Sequence, residues 1–180
     1  MTDLANKTAL VTGASRGMGR AAALALAAAG ARVIVHYGRG ADEAKAVVDQ
    51  IRSAGGRADA LAADLSAADG AHTLAAQVRN LVGEQLDIIV ANAGISKAAT
   101  IEETTVEDLD KLYAVNVRAP YFLVQQLLPA LGNGASIILV SSLGAHAVVG
   151  QVVSLFCHQG RHRYAGQAFR VSSRPARHPR

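Results

Sequence analysis

The chain has 180 residues, enough for one domain with a real core, and 51% hydrophobic against 18% charged residues excludes a disordered chain. No apolar run reaches the length of a membrane span, residues 1–7 show no basic segment leading into an apolar one, and the single cysteine excludes an internal disulfide framework, so a cytoplasmic protein with no membrane partner is expected. The net charge of +4 is a misleading average: residues 1–150 hold 12 Lys+Arg against 14 Asp+Glu, whereas residues 151–180 hold six Arg and no acid.

Thr8–Val11 is apolar enough for a central strand, and Gly13-Ala-Ser15-Arg16-Gly17-Met18-Gly19 follows it directly. The glycines lead into an Ala/Leu-rich helix, Gly17–Ala29, stopped by Gly30. Strand, glycine turn and helix N-terminus in that order bring bare N–H groups up to a phosphate, although a plain strand-to-helix turn has the same outline. Arg32–Tyr37 is a second strand. Ala41–Ala54 is an amphipathic helix with Ala44, Val47, Val48 and Ile51 on one face. Ala58–Ala63 is a third strand closed by Asp64-Leu65, and Ser66 has the character of an N-cap for a helix to about Val82. Leu86–Ala91 is a fourth strand ending at Asn92-Ala93-Gly94. Thr104 and Glu107 have capping-box spacing for a long helical segment to Leu131, with Asn116 inside and a break or restart at Pro120. Ser136–Val140 is a fifth strand delivering Ser141 and Ser142. The alternation predicts an α/β fold, a doubly wound parallel sheet of Rossmann type, incomplete at its C-terminal side.

Four motifs in order, Thr12-Gly13-x-x-x-Gly17-x-Gly19, Asp64-Leu65, Asn92-Ala93-Gly94 and Ser142, together with Asn116, resemble the short-chain dehydrogenase/reductase family of NAD(P)-dependent oxidoreductases over about residues 5–150. The resemblance implies that Gly13, Ser15, Gly17 and Gly19 cradle a cofactor pyrophosphate, with Met18 beside it. It implies that Asp64 accepts from the adenine amino group, that Leu65 lies along the ring, and that Asn92, Ala93 and Gly94 wall the adenosine pocket. Ser142 would bond the substrate oxygen and Asn116 would hold a water. Singly, Asp64 reads equally as a cap, Asn92 as a turn residue and Ser142 as a loop hydroxyl. The second strand ends His36-Tyr37-Gly38-Arg39 with no acid before Asp42, and Arg16 stands in the glycine loop. Arg16 and Arg39 therefore favour a ribose 2′-phosphate, so NADP(H) is expected over NAD(H). By the same resemblance the substrate is a small carbonyl or alcohol, as for 3-oxoacyl-carrier-protein reductases, and intact relatives are homo-oligomers.

The family's acid/base is a tyrosine followed four residues later by a lysine, placed near position 155. Here that position is Leu155, Tyr164 is followed by Ala168, and the tail has no lysine. The codons for Gln151–Gly160 offer a reason: one choice, read with the first nucleotide dropped, gives Lys-Leu-Ser-Ala-Tyr-Ser-Ala-Thr-Lys, the missing pair at the family's distance from Ser142. Gln159-Gly160 can shift only to Lys or Arg. The expectation is a dinucleotide-binding domain over residues 1–150 and an out-of-frame, disordered basic tail over 151–180, leaving an unpaired edge on the fifth strand and a chain without turnover. The competing reading is a non-catalytic dinucleotide-binding protein or degenerate product. Cys157, His158 and His162 lack a fourth metal ligand at a recognised spacing, so no metal is expected. Six arginines without interleaved aromatics make no specific nucleic-acid site.

Overall fold

The computed structural model describes residues 3–83, 85–100 and 102–142, together with the backbone of 168–170. Five parallel strands, β1 (Thr8–Val11), β2 (Arg32–Tyr37), β3 (Arg57–Ala62), β4 (Leu86–Ala91) and β5 (Leu131–Leu139), form the sheet, with a short β6 (Ala168–Arg170) antiparallel on β5. The order is β3-β2-β1-β4-β5-β6. The chain steps outward from β1 to β3 and then returns to the other side of β1. That reversal between β1 and β4 opens a crevice beyond their carboxyl ends, where open α/β sheets take their ligands.

Strand residues alternate between two cores, as the period of two requires. Leu10, Ile34, Ile89 and Ile137 meet α3 (Gly70–Val82) and α5 (Ala119–Leu127) on one face. Ala9, Val11, Val33, Val35, Ile88 and Val90 meet α1 (Gly17–Ala28) and α2 (Ala41–Ser53) on the other. The apolar face predicted for the second helix, Ala44, Val47, Val48 and Ile51, is the face α2 buries.

Three local expectations change, and the break expected at Pro120 takes a definite form. Ser66 is not the cap of α3. Its N–H and hydroxyl both donate to Asp64 Oδ1, at 2.9 and 2.6 Å, and the helix begins four residues later at Gly70. The capping box before α4 (Val106–Tyr113) lies one residue along, on Thr105 and Asp108: the Asp108 N–H donates to Thr105 Oγ1 at 3.2 Å, and the Thr105 N–H to Asp108 Oδ2 at 3.1 Å. The long helix is broken into α4, a π-turn over Ala114–Arg118, α5 and a 3₁₀ turn over Leu128–Ala130. Pro120 has no N–H for an α-helical bond to Asn116, and the chain widens just before it, with the Ala119 N–H reaching back to the Ala114 carbonyl. Finally, β5 starts at Leu131, which pairs with Leu86 before an irregularity, and its outer edge is paired at Ser136, Ile137 and Ile138 by β6. The edge is therefore not bare there, and residues 168–170 are strand. The rest of the expected tail, with Leu155, Cys157, His158, His162 and Tyr164, lies outside the described residues.

Candidate functional site

Thr12 directly follows β1 and is 2% exposed. Its Oγ1 accepts the Asn92 N–H at 3.0 Å and the Ala93 N–H at 2.9 Å, and faces the Val90 carbonyl at 3.5 Å. The Asn92 side chain answers in the other direction, donating to the carbonyls of Thr12 and Gly13 at 2.9 and 3.2 Å. These bonds close β1 against β4 and hold the 92–94 loop beside the glycine turn. Gly13 and Gly19 are required by the resulting closeness. A Cβ on Gly13 would sit 2.9 Å from Ala93 Cα, and one on Gly19 would fall on the Gly13 carbonyl oxygen and 2.5 Å from Asn92 Nδ2. Gly13 and Gly17 both have positive φ, +63° and +56°, but a Cβ on Gly17 would enter open space. Helix α1 starts at Gly17 with no side-chain cap and no acid in its first turn, so its N-terminal N–H groups suit an anion.

Beyond these strand ends lies a cleft of about 710 Å³. It brings together Gly13, Ser15, Arg16, Gly17, Arg39, Asp64, Leu65, Asn92, Ala93 and Gly94, ten of the expected cofactor residues. Met18 faces a neighbouring cleft instead, and Gly19 is buried beneath the loop. The Asp64 carboxyl is held below the usual carboxylate range, first by the Ser66 hydroxyl and N–H and then by the nearby Arg39 and Lys111 cations. Glu43, an acid of the cleft wall, has its carboxylate against Gly40 at the start of α2.

The second cleft, about 1090 Å³, shares the 92–95 wall and holds both expected catalytic residues, Asn116 and Ser142. Asn116 sits in the π-turn, where Oδ1 accepts the Ile95 N–H and Nδ2 donates to the Ile95 carbonyl, each at 2.9 Å. Both amide atoms thus brace the 92–95 loop. Much of the remaining wall is apolar or aromatic, including Tyr113, Val117, Tyr121, Val124 and Leu139.

Sequence reasoning missed three contributors. His36 lines the first cleft and binds the glycine loop; its signal was a polar residue directly after the apolar run Val33–Val35. Lys111 and Glu43 enter the cleft from α4 and α2, and only the packing of those helices brings them there. Among the described residues no cluster of His, Cys, Asp or Glu could hold a metal, and no helix is long and apolar enough to cross a membrane.

Residues 7–154 match the short chain dehydrogenase family. The chain belongs to that family. Among its relatives, the hydroxynaphthalene reductase-like protein Arp2 of Metarhizium majus is 41% identical over 143 residues, covering 79% of this chain and 53% of the relative. The landomycin C-6 ketoreductase LanV, solved with bound NADP and rabelomycin, superposes with a TM-score of 0.82 at 40% identity, covering 88% of this chain and 66% of that one. A 3-oxoacyl (acyl-carrier-protein) reductase from Agrobacterium tumefaciens C58 with NADP bound gives 0.82 at 32% identity, with 89% and 62% coverage. The chain spans about half the length of the curated relatives it matches.

Proposed function

We propose that residues 3–142 are the cofactor-binding half of an NADP-dependent oxidoreductase that works on a carbonyl/alcohol pair, and that this chain binds the dinucleotide without turning over substrate. The observation that carries the reading is the first cleft, which gathers an uncapped helix N-terminus, Arg16, Arg39 and Asp64 around a glycine turn. The residues fit a dinucleotide. Gly17 leaves open space at the mouth of α1, the closed packing at Gly13 and Gly19 lets the loop lie flat against β4, and two guanidinium groups offer themselves to a phosphate. The acid that an NAD site places after the second strand is absent, and Glu43 lies back on its own helix start. NADP bound in relatives of comparable fold supports the same choice.

Bound here, the cofactor would supply a hydride. Ser15 and the first turn of α1 would hold its pyrophosphate, with Arg16 and Arg39 on the 2′-phosphate. Asp64 accepts from the adenine amino group while Leu65 and Ala93 pack along the rings. Asn116 holds the 92–95 loop in place, and Ser142 reaches the substrate oxygen. The Tyr-x-x-x-Lys pair that the family uses for the proton of hydride transfer does not occur after Ser142 in this sequence. The alternative frame open to the codons of Gln151–Gly160 supports an origin in one inserted nucleotide near codon 150, with the tyrosine and lysine in the second frame. A small-molecule carbonyl of the 3-oxoacyl or polycyclic ketone kind fits the names of the relatives.

The test combines NADPH titration with turnover on a panel of carbonyl compounds. Binding with no turnover, and turnover recovered when the gene is rebuilt in the second frame, is the expected result. Turnover by the present chain, or a gene whose second frame lacks the Tyr-x-x-x-Lys pair, overturns the reading.

A further inference from the structure

His36 stands at the penultimate position of β2 and is 2% exposed. Its ring bridges two backbones: the Gly13 N–H points at Nδ1 at 3.2 Å, and Nε2 lies 3.1 Å from the Ala63 carbonyl oxygen. The residue grips the glycine loop a second time through its own carbonyl, which accepts the Ala14 N–H at 2.9 Å. Ala63 directly precedes Asp64, so the ring ties the start of the glycine loop to the segment that carries Asp64.

The chemistry of the two partners decides the state of the ring. A backbone N–H can only donate, so Nδ1 must be bare. A carbonyl oxygen can only accept, so Nε2 must carry the hydrogen. One neutral tautomer satisfies both contacts. The other tautomer and the imidazolium set an Nδ1–H against the Gly13 N–H. The charges lining the cleft with it are Arg16 of the glycine loop, Arg39 after β2, Lys111 of α4, Glu43 of α2 and Asp64 after β3, three cations against two acids. Desolvation by burial pushes the imidazole below the ordinary histidine range, opposed by the bond to Ala63.

We propose that His36 is a pH-sensitive positioning residue of the nucleotide cleft: neutral, it latches the glycine loop to the end of β3, and protonated, it releases the loop and weakens dinucleotide binding. The affinity half of this statement rests on the NADP reading above. The latch itself does not.

Two measurements on the full 180-residue chain separate the two. Imidazole ¹⁵N NMR without ligand, with the His36 signal identified by its loss in His36→Asn, should show the neutral Nε2–H form at about pH 8. The ring should protonate only at a pH lower than about 6.5, the ordinary histidine pKa, and the Gly13 amide should shift with it. An Nδ1–H tautomer, or a ring that titrates while the Gly13 amide stays still, overturns the latch. NADP⁺ affinity by calorimetry should then fall about tenfold when the ring is protonated, the size expected for one buried donor left without its acceptor. His36→Asn, which keeps an acceptor and a donor but does not titrate, should remove that step, whereas His36→Leu should bind weakly at both ends of the range. An identical pH step in wild type and His36→Asn also overturns the proposal, because the titration then belongs elsewhere. A wild type that binds no NADP⁺ at any pH refutes the NADP reading and the affinity half together, and the NMR result still decides the latch.

Discussion

Replacing Thr12 by valine removes one oxygen from an almost unchanged shape, which makes it a clean test of how β1 and β4 are joined. Two backbone donors, the Asn92 and Ala93 N–H groups, lose their acceptor. A buried donor left without a partner costs about 1–3 kcal/mol. Asn92 and Ala93 are half-buried, so water reaches part of this site and the lower half of the range applies. The expected loss is about 2–4 kcal/mol in all. Thr12→Ser keeps the oxygen and deletes only a methyl group, for about 1 kcal/mol. Urea unfolding should show the Thr12→Val midpoint falling by roughly 1–2 M at unchanged slope, and the serine variant by less than half of that. A valine variant within about 0.5 kcal/mol of wild type, or a serine variant that loses as much as the valine one, would refute the claim that the hydroxyl joins the strands.

Other consequences follow from the same geometry. Gly19→Ala drives a Cβ into the Gly13 carbonyl and should cost at least the ~1–3 kcal/mol typical of overpacking, read as a fall in melting temperature. Gly17→Ala meets nothing in the protein, so its effect should appear as weaker NADPH binding beyond the ~1–2 kcal/mol of backbone strain at positive φ. Equal effects of the two on both measurements would count against the distinction. Arg16→Ala and Arg39→Ala should each lower NADPH affinity while leaving NADH affinity nearly alone; an unchanged ratio of the two removes the 2′-phosphate assignment. Burial of neutral His36 also has a stability consequence. The unfolded chain binds a proton more readily, so stability is full above about pH 6.5 and declines as the pH falls below it toward the depressed folded-state pKa. Denaturant midpoints for His36→Asn should lack this part of the decline.

The sequence by itself determined the α/β class, the strands at Thr8–Val11, Arg32–Tyr37 and Leu86–Ala91, and the buried face of α2, because runs of apolar residues and a period of 3.6 are written directly in the order of side chains. Glycine spacing likewise identified the loop that ends up beneath Asn92. Where two neighbouring residues could do the same work, local pattern did not choose between them. Thr104 and Thr105 are both competent caps, but the Thr104 hydroxyl donates to the Thr100 carbonyl and Thr105 takes the cap. Ser66 had a cap's chemistry, but Asp64 took both of its donors. The helix break was readable from Pro120, whereas the π-turn that brings Asn116 to Ile95 depends on where the 92–95 loop lies. Tertiary structure alone decided the site itself. The turn-back of the chain across β1 is a long-range event, and it is what sets Thr12 against Asn92. The meeting of His36, Gly13 and Ala63 joins residues 23 and 27 positions apart, through contacts that no window along the chain contains.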